Sequence, residues 1–211
     1  MRPMRVIVLA ALLAAVSCSG EQAREPTALS FEETSSPIST RYFPAGALFS
    51  RPDMDARKRQ WYGYQLIALR EASLSNPLPP EGCQTVRFLW LRTFDHPVAI
   101  RVSQQRDGSA RLVVKMASGA GGYDPGALVL NRSRNLTPEE LRAFLAAFED
   151  ASFWSLSNDE KVGFDGSHWI LEGATHDRYH IVDWRSPSSG AIRDVGLKLI
   201  ALAGLQSETV Y

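Results

Sequence analysis

The stretch Thr85-Val86-Arg87-Phe88-Leu89-Trp90-Leu91-Arg92-Thr93-Phe94 is rich in β-branched and aromatic residues. Successive side chains of a strand point to opposite faces of the sheet, and this stretch has apolar side chains on both faces. A strand that is buried on both of its faces has this pattern. The stretch therefore predicts a central strand of a sheet.

The next segments along the chain predict a β-hairpin. Val98–Ser103 and Arg111–Met116 alternate in polarity and flank the dipeptide Asp107-Gly108. Both residues of such a dipeptide can take positive φ, as a tight hairpin turn requires. A further short strand, Ala127–Leu130, is expected after a glycine-rich loop.

A second hairpin is predicted near the end of the chain, from the segments 169–172 and 179–184. If its turn consists of His176 and Asp177 alone, Leu171 lies opposite Val182. The same register places Ile170 opposite Asp183.

Three helices are predicted around these strands. The first begins near Asp55, a good N-cap, and runs to about Ala72. Thr137-Pro138-Glu139-Glu140 forms a capping-box sequence at the start of the second. Ser189 can cap the third helix, which is apolar and ends at Gly204.

The order of these elements predicts an α+β fold. Residues 41–211 would form a single domain, with a mainly antiparallel sheet of about six strands and about three helices packed on it. Short hairpin connections favour antiparallel pairing, and we expect the helices to cover one face of the sheet.

The N-terminus carries a different signal. Two arginines, Arg2 and Arg5, precede the uncharged apolar run 6–16, which is too short to span a bilayer. The run ends in Ala15-Val16-Ser17-Cys18, which resembles the lipobox of bacterial lipoprotein signal peptides.

The lipoprotein resemblance implies a processing scheme. Residues 1–17 would be removed as a signal peptide, and Cys18 would be acylated and become the new first residue. Ser19 after the cysteine implies the outer membrane, facing the periplasm, if the source has two membranes. Residues 18–40 are polar and proline-containing, which indicates a flexible tether.

Charge and cysteine content limit the functional classes. The chain has 23 basic and 23 acidic residues, and removal of residues 1–17 would leave 21 basic ones. A nucleic-acid partner is not expected, because such proteins carry a basic excess. Cys83 is the only cysteine besides Cys18, and we expect it to be a free, partly buried thiol.

The second hairpin holds the candidate chemistry. In the predicted register, His168, Glu172, Tyr179 and Asp183 share one face of the sheet. An imidazole and two carboxylates could bind a divalent metal or act as an acid–base pair, with Tyr179 orienting a substrate. The same residues also fit a solvated polar face, and the spacing does not match the helical zinc-protease motif.

The glycine-rich loop 118–126 does not predict a nucleotide site. It lacks the Gly-Lys-Ser/Thr ending of a phosphate-binding loop and leads into a strand instead of a helix. We interpret it as a mobile surface loop or a lid, and no cofactor is predicted.

Aromatic and basic residues offer two further alternatives. The five tryptophans could form a sugar-stacking platform, although tryptophans at strand and helix positions are usually core residues. Arg87, Arg92 and Arg101 could gather into an anion site, although scattered arginines on a sheet more often pair with surface carboxylates.

The sequence therefore favours a membrane-anchored envelope module that binds another envelope protein or a cell-wall component without catalysis. The alternative is a metal-assisted or acid–base hydrolase built on His168, Glu172 and Asp183, with Tyr179 beside them.

Overall fold

The computed structural model describes residues 39–211. The signal peptide, the lipidated Cys18 and nearly all of the tether lie outside the described residues and stay predictions. Within residues 39–211, no helix combines the length and hydropathy needed to cross a membrane.

Three helices and six strands make up the described domain. The helices are α1 (Pro52–Ala68), α2 (Pro138–Asp150) and α3 (Ala191–Leu202). The strands are β1 (Gln84–Arg92), β2 (Val98–Gln104), β3 (Ala110–Ala117), β4 (Leu128–Asn135), β5 (Ser167–Ala174) and β6 (Tyr179–Arg185). Short 3-10 helices occur at Ser39–Tyr42 and Phe153–Ser155.

The six strands form one sheet in the order β4-β3-β2-β1-β5-β6, with every neighbouring pair antiparallel. This confirms the α+β class and the central position of β1. In the second hairpin Leu171 faces Val182 and Ile170 faces Asp183, as predicted. The Thr175 amide donates to the Arg178 carbonyl at 2.9 Å, which leaves a two-residue turn.

Helices cover both faces of the sheet, so the expectation of one covered face is wrong. Phe88 and Trp90 of β1 pack in a core with Phe144 of α2 and Val195 of α3. The opposite alternation of β1, represented by Leu89, packs in a second core beneath α1. The reason lies in β1 itself, whose apolar side chains on both alternations require a layer on each side.

The helix ends confirm one predicted cap and correct two others. Thr137 and Glu140 form the predicted capping box of α2. Helix α1 begins at Pro52, and Asp55 instead accepts bonds from the amides of Gly46 and Leu48 at 2.9 and 3.0 Å. The residue before α3 is Gly190, which has positive φ and leaves no capping role for Ser189.

The first hairpin is present, with a slightly longer turn than expected. The Gln105 amide donates to the Ser109 carbonyl at 2.7 Å, which closes a three-residue loop. Within that loop only Gly108 takes positive φ, so glycine is required at one position of the predicted Asp-Gly pair.

The glycine-rich loop after β3 lies at the surface, as predicted, and backbone hydrogen bonds join it to the segment that follows β1. The amides of Gly121 and Gly122 donate to the carbonyls of Asp95 and Thr93 at 2.9 and 3.1 Å. A β-carbon added at Gly121 would lie 2.8 Å from the Arg92 carbonyl oxygen. The glycines therefore permit close backbone contact.

Cys83 lies just before β1 and is buried. Its sulfur is not a free thiol in the structure, so the expectation of a free thiol is wrong.

Candidate functional site

The four predicted site residues share one face of the sheet, but that face is covered. His168 and Glu172 lie on β5, and Tyr179 and Asp183 lie on β6. Glu172 is 0 % exposed and Asp183 is 1 % exposed. The interpretation as a solvated polar face is therefore wrong, because α1 packs over this side of the sheet.

Asp183 is the centre of one buried cluster between α1 and the sheet. Its Oδ2 accepts from Lys58 Nζ at 2.6 Å and from the Tyr62 hydroxyl at 2.7 Å. Its Oδ1 lies 3.0 Å from His168 Nδ1. The Asp183 amide donates to the Asn158 side chain at 2.9 Å. Both carboxylate oxygens are therefore occupied by neighbours.

The surroundings of Asp183 keep it ionised. Burial alone would raise the pKa of its carboxyl, but the nearby His168 and Lys58 lower that pKa to about 2. The same burial raises the pKa of Tyr62 well above its usual value, and the Asp183 carboxylate adds to this effect. Tyr62 therefore stays a hydroxyl donor.

Glu172 belongs to a second buried cluster, centred on Arg87. Arg87 Nε donates to Glu172 Oε2 at 2.6 Å, and the Tyr179 hydroxyl donates to Glu172 Oε1 at 2.9 Å. Arg87 Nη1 donates to the Ala72 carbonyl at 2.6 Å and lies 3.4 Å from Glu71 Oε2. The guanidinium thus joins β1 and β5 to the segment that follows α1.

Glu71 is surrounded by cations. Its carboxylate oxygens lie 2.9 Å from Arg101 Nε and 2.9 Å from Lys115 Nζ, in addition to the contact with Arg87. Burial opposes ionisation, but the three cations hold the pKa of Glu71 at about 2. Burial raises the pKa of Glu172, although the Arg87 guanidinium opposes this shift.

The predicted metal site does not form as one group. Among residues 39–211, no group of three or more His, Cys, Asp or Glu side chains is placed to hold a metal ion. Glu172 contacts Arg87 and Tyr179, whereas Asp183 contacts His168, Lys58 and Tyr62. Lys58, Arg87, His168 and the two tyrosine hydroxyls already occupy the carboxylate oxygens that a metal would need.

Several of the arginines and tryptophans named in the sequence analysis are also buried in the fold. Arg87 and Arg92 are fully buried, which corrects the expectation of surface ion pairs. Arg92 instead pairs with Glu208 at 2.9 Å and stacks on Trp90. Trp90 and Trp169 are core residues, as tryptophans at strand positions usually are.

The sequence pattern did not indicate Lys58, Tyr62 or Glu71 as members of this site. Lys58 and Tyr62 lie four residues apart on α1, which places both on one helix face. The only local signal was a basic residue on the apolar side of a helix.

Comparison with known proteins adds no relative. No family model matches the chain, and no curated protein matches it.

The two carboxylates with low pKa predict acid instability. A carboxyl whose pKa is lowered by folding stabilises the protein above its unfolded pKa, and this stabilisation is lost as the pH falls toward the folded value. For Asp183 and Glu71 the window runs from about pH 5 to about pH 2, and each accounts for on the order of 2 kcal/mol. Glu172, with a raised pKa, acts in the opposite sense and offsets part of the loss. Urea unfolding at a series of pH values measures the profile.

The matched variants are Asp183→Asn and, as control, Asp150→Asn on the exposed end of α2. Asp183→Asn is expected to cost about 3–5 kcal/mol at pH 7, because it leaves Lys58 buried without a countercharge. It should also flatten the acid profile. The control should change the free energy of unfolding by less than about 0.5 kcal/mol. Equal profiles for both variants would contradict the assignment.

Proposed function

We propose that the protein is a lipid-anchored envelope protein whose domain binds a partner and does not catalyse a reaction. The lipobox-like Ala15-Val16-Ser17-Cys18 supports the anchor. The observation that carries the binding role is a contrast between two regions: the charged groups are paired inside the fold, whereas large apolar side chains are exposed at one end of the sheet.

We call these exposed residues the apolar tip: Phe94, Tyr123, Val162 and Phe164. Phe164 is 100 % exposed, and Phe94 and Tyr123 are 63 % and 62 % exposed. The rings of Phe94 and Tyr123 lie 6.2 Å apart, centroid to centroid. Large apolar residues that are exposed at one end of a domain favour an interaction surface there.

The loops that carry the apolar tip are joined by backbone bonds. The Thr93 amide donates to the Gly166 carbonyl at 2.9 Å, and the Thr93 carbonyl accepts from the Gly122 amide at 3.1 Å. Trp61 of α1 donates from its indole nitrogen to the Gly121 carbonyl at 3.0 Å. The backbone around Phe94 and Tyr123 is therefore held in place, which would reduce the entropy lost when a partner binds there.

The hydrolase alternative retains one supporting contact. His168 Nδ1 lies 3.0 Å from Asp183 Oδ1, an arrangement that orients a histidine in many hydrolases. Its ring packs edge-on against Trp61 at 5.2 Å between centroids, and its side chain is 13 % exposed. A loss of hydrolytic activity in His168→Gln, with folding unchanged, would favour this alternative over the binding role.

The anchor is tested with Cys18→Ser in the full chain. The parent chain should incorporate labelled palmitate and fractionate with membranes, because its cysteine carries the lipid. The variant should incorporate no palmitate. A peptide map of the parent that joins Cys18 to Cys83 by a disulfide would contradict the proposal, because one sulfur atom cannot carry both bonds.

The binding role is tested by photo-crosslinking in intact cells. A benzophenone amino acid at Phe164 should yield a discrete adduct, since the apolar tip would face the partner. The same probe at Asp107, in the exposed turn between β2 and β3 and away from the outer edge of β6, serves as the control. Adducts of equal yield at both positions, or none at Phe164, would count against a partner at this tip.

A further inference from the structure

A groove runs along the outer edge of β6, which is an edge strand of the sheet. Its volume is about 470 Å³, within the range of ligand pockets. One wall is the first half of β6, from Tyr179 to Ile181, and the others are formed by Pro44, Ala47 and the segment 156–160.

The hydrogen-bonding pattern of β6 shows which backbone groups face this groove. Along an antiparallel pair of strands, residues alternate between two states. In one, their backbone N–H and C=O groups bond the neighbouring strand, and in the other these groups point away from it. The Thr175–Arg178 and Ser167–Ser186 backbone bonds show which residue pairs bond each other across this hairpin. The backbone N–H and C=O groups of residues 179, 181, 183 and 185 of β6 therefore point away from β5.

The second half of this outer edge is already occupied. The amides of Asp183 and Arg185 donate to Asn158 and Asp159 side chains at 2.9 and 3.0 Å. The Asp183 carbonyl accepts from the Asp159 amide at 3.3 Å. These contacts confirm the outward phase and show that this edge takes hydrogen-bonding partners.

The first half is where the groove lies. In the described part of the chain, no bond from outside the sheet reaches the outward amide and carbonyl of Ile181. Asn158 closes one end of the groove, because its side-chain amide donates to the Ala47 carbonyl at 3.0 Å. The first half of β6 is therefore a short strand edge inside a groove, and its outward backbone N–H and C=O groups have no hydrogen-bonding partner among the described residues.

We propose that this groove binds an extended peptide segment of a partner protein, which adds as a short strand to the outer edge of β6. Backbone groups at Tyr179 and Ile181 would supply the hydrogen bonds, and Ala47, Leu156 and Pro44 would contact its side chains. A second copy of the chain fits less well, because the segment 156–160 stands beside β6 and blocks a long strand-to-strand pairing.

The opposite edge of the sheet is unsuited to the same role. Strand β4 carries Arg132 and Arg134, whose guanidinium groups donate to the carbonyls of Ala203 and Leu202 at the end of α3. Charged side chains on an edge strand oppose pairing with another strand.

The test is a selection of random twelve-residue peptides displayed on phage against the full mature chain in detergent. Selected peptides are then measured by fluorescence polarisation against three variants. Ile181→Pro removes the outward amide without removing a bond to β5, and Ala47→Phe fills the groove. The control, Asn131→Pro, removes an outward amide from the edge of β4.

Both groove variants are expected to weaken binding by about tenfold or more, and the control should match the parent. Binding should also slow hydrogen exchange at Tyr179 and Ile181. Ala47→Phe keeps the test decisive if Ile181→Pro, which loses a buried side chain, fails to fold.

Three results would overturn the proposal: no peptide selected, equal binding to Ala47→Phe and the parent, or protection confined to other strands. A dimer in sedimentation that Ala47→Phe abolishes would replace the partner peptide with a second copy. This inference deepens the proposed binding function. Because it is tested on purified chain, its failure would leave the palmitate and crosslinking results standing.

Discussion

The fold depends on neutralising three carboxylates that are buried between helix α1 and the sheet. Glu71, Glu172 and Asp183 are each at most 4 % exposed, in a region where an unpaired charge is costly. Every one of them contacts a cation that comes from a different element of the chain. The position of α1 on the sheet is thereby specified by charge as well as by apolar packing.

The pairing of these buried carboxylates limits the ligands that they can bind. A carboxylate that already holds a lysine and a tyrosine, as Asp183 does, has few lone pairs left for a metal or a substrate. The surfaces that we propose for recognition, the apolar tip and the groove beside β6, do not include these buried carboxylates. Backbone and side-chain contacts hold the loops beside them in place.

The sequence predicted local structure well and long-range pairing poorly. The register of the second hairpin followed from a two-residue turn, and the α2 cap followed from Thr137 and Glu140. The shared face of His168 and Asp183 was also correct. The layer that covers it could not be predicted, because the Lys58 contact spans 125 residues of sequence and leaves no local pattern. By sequence alone Asp55 fits a helix cap, because its actual role in binding a preceding loop depends on tertiary structure.

The most direct test of the central claim is a double-mutant cycle on Lys58 and Asp183, with Lys58→Met and Asp183→Leu, measured by urea unfolding. If the buried pair serves the fold, each single change should cost about 3–5 kcal/mol, because it leaves the other member of the pair buried without its countercharge. The double variant should recover most of that loss, with a coupling energy of several kcal/mol. Single effects that simply add, with coupling below about 0.5 kcal/mol, would contradict the account.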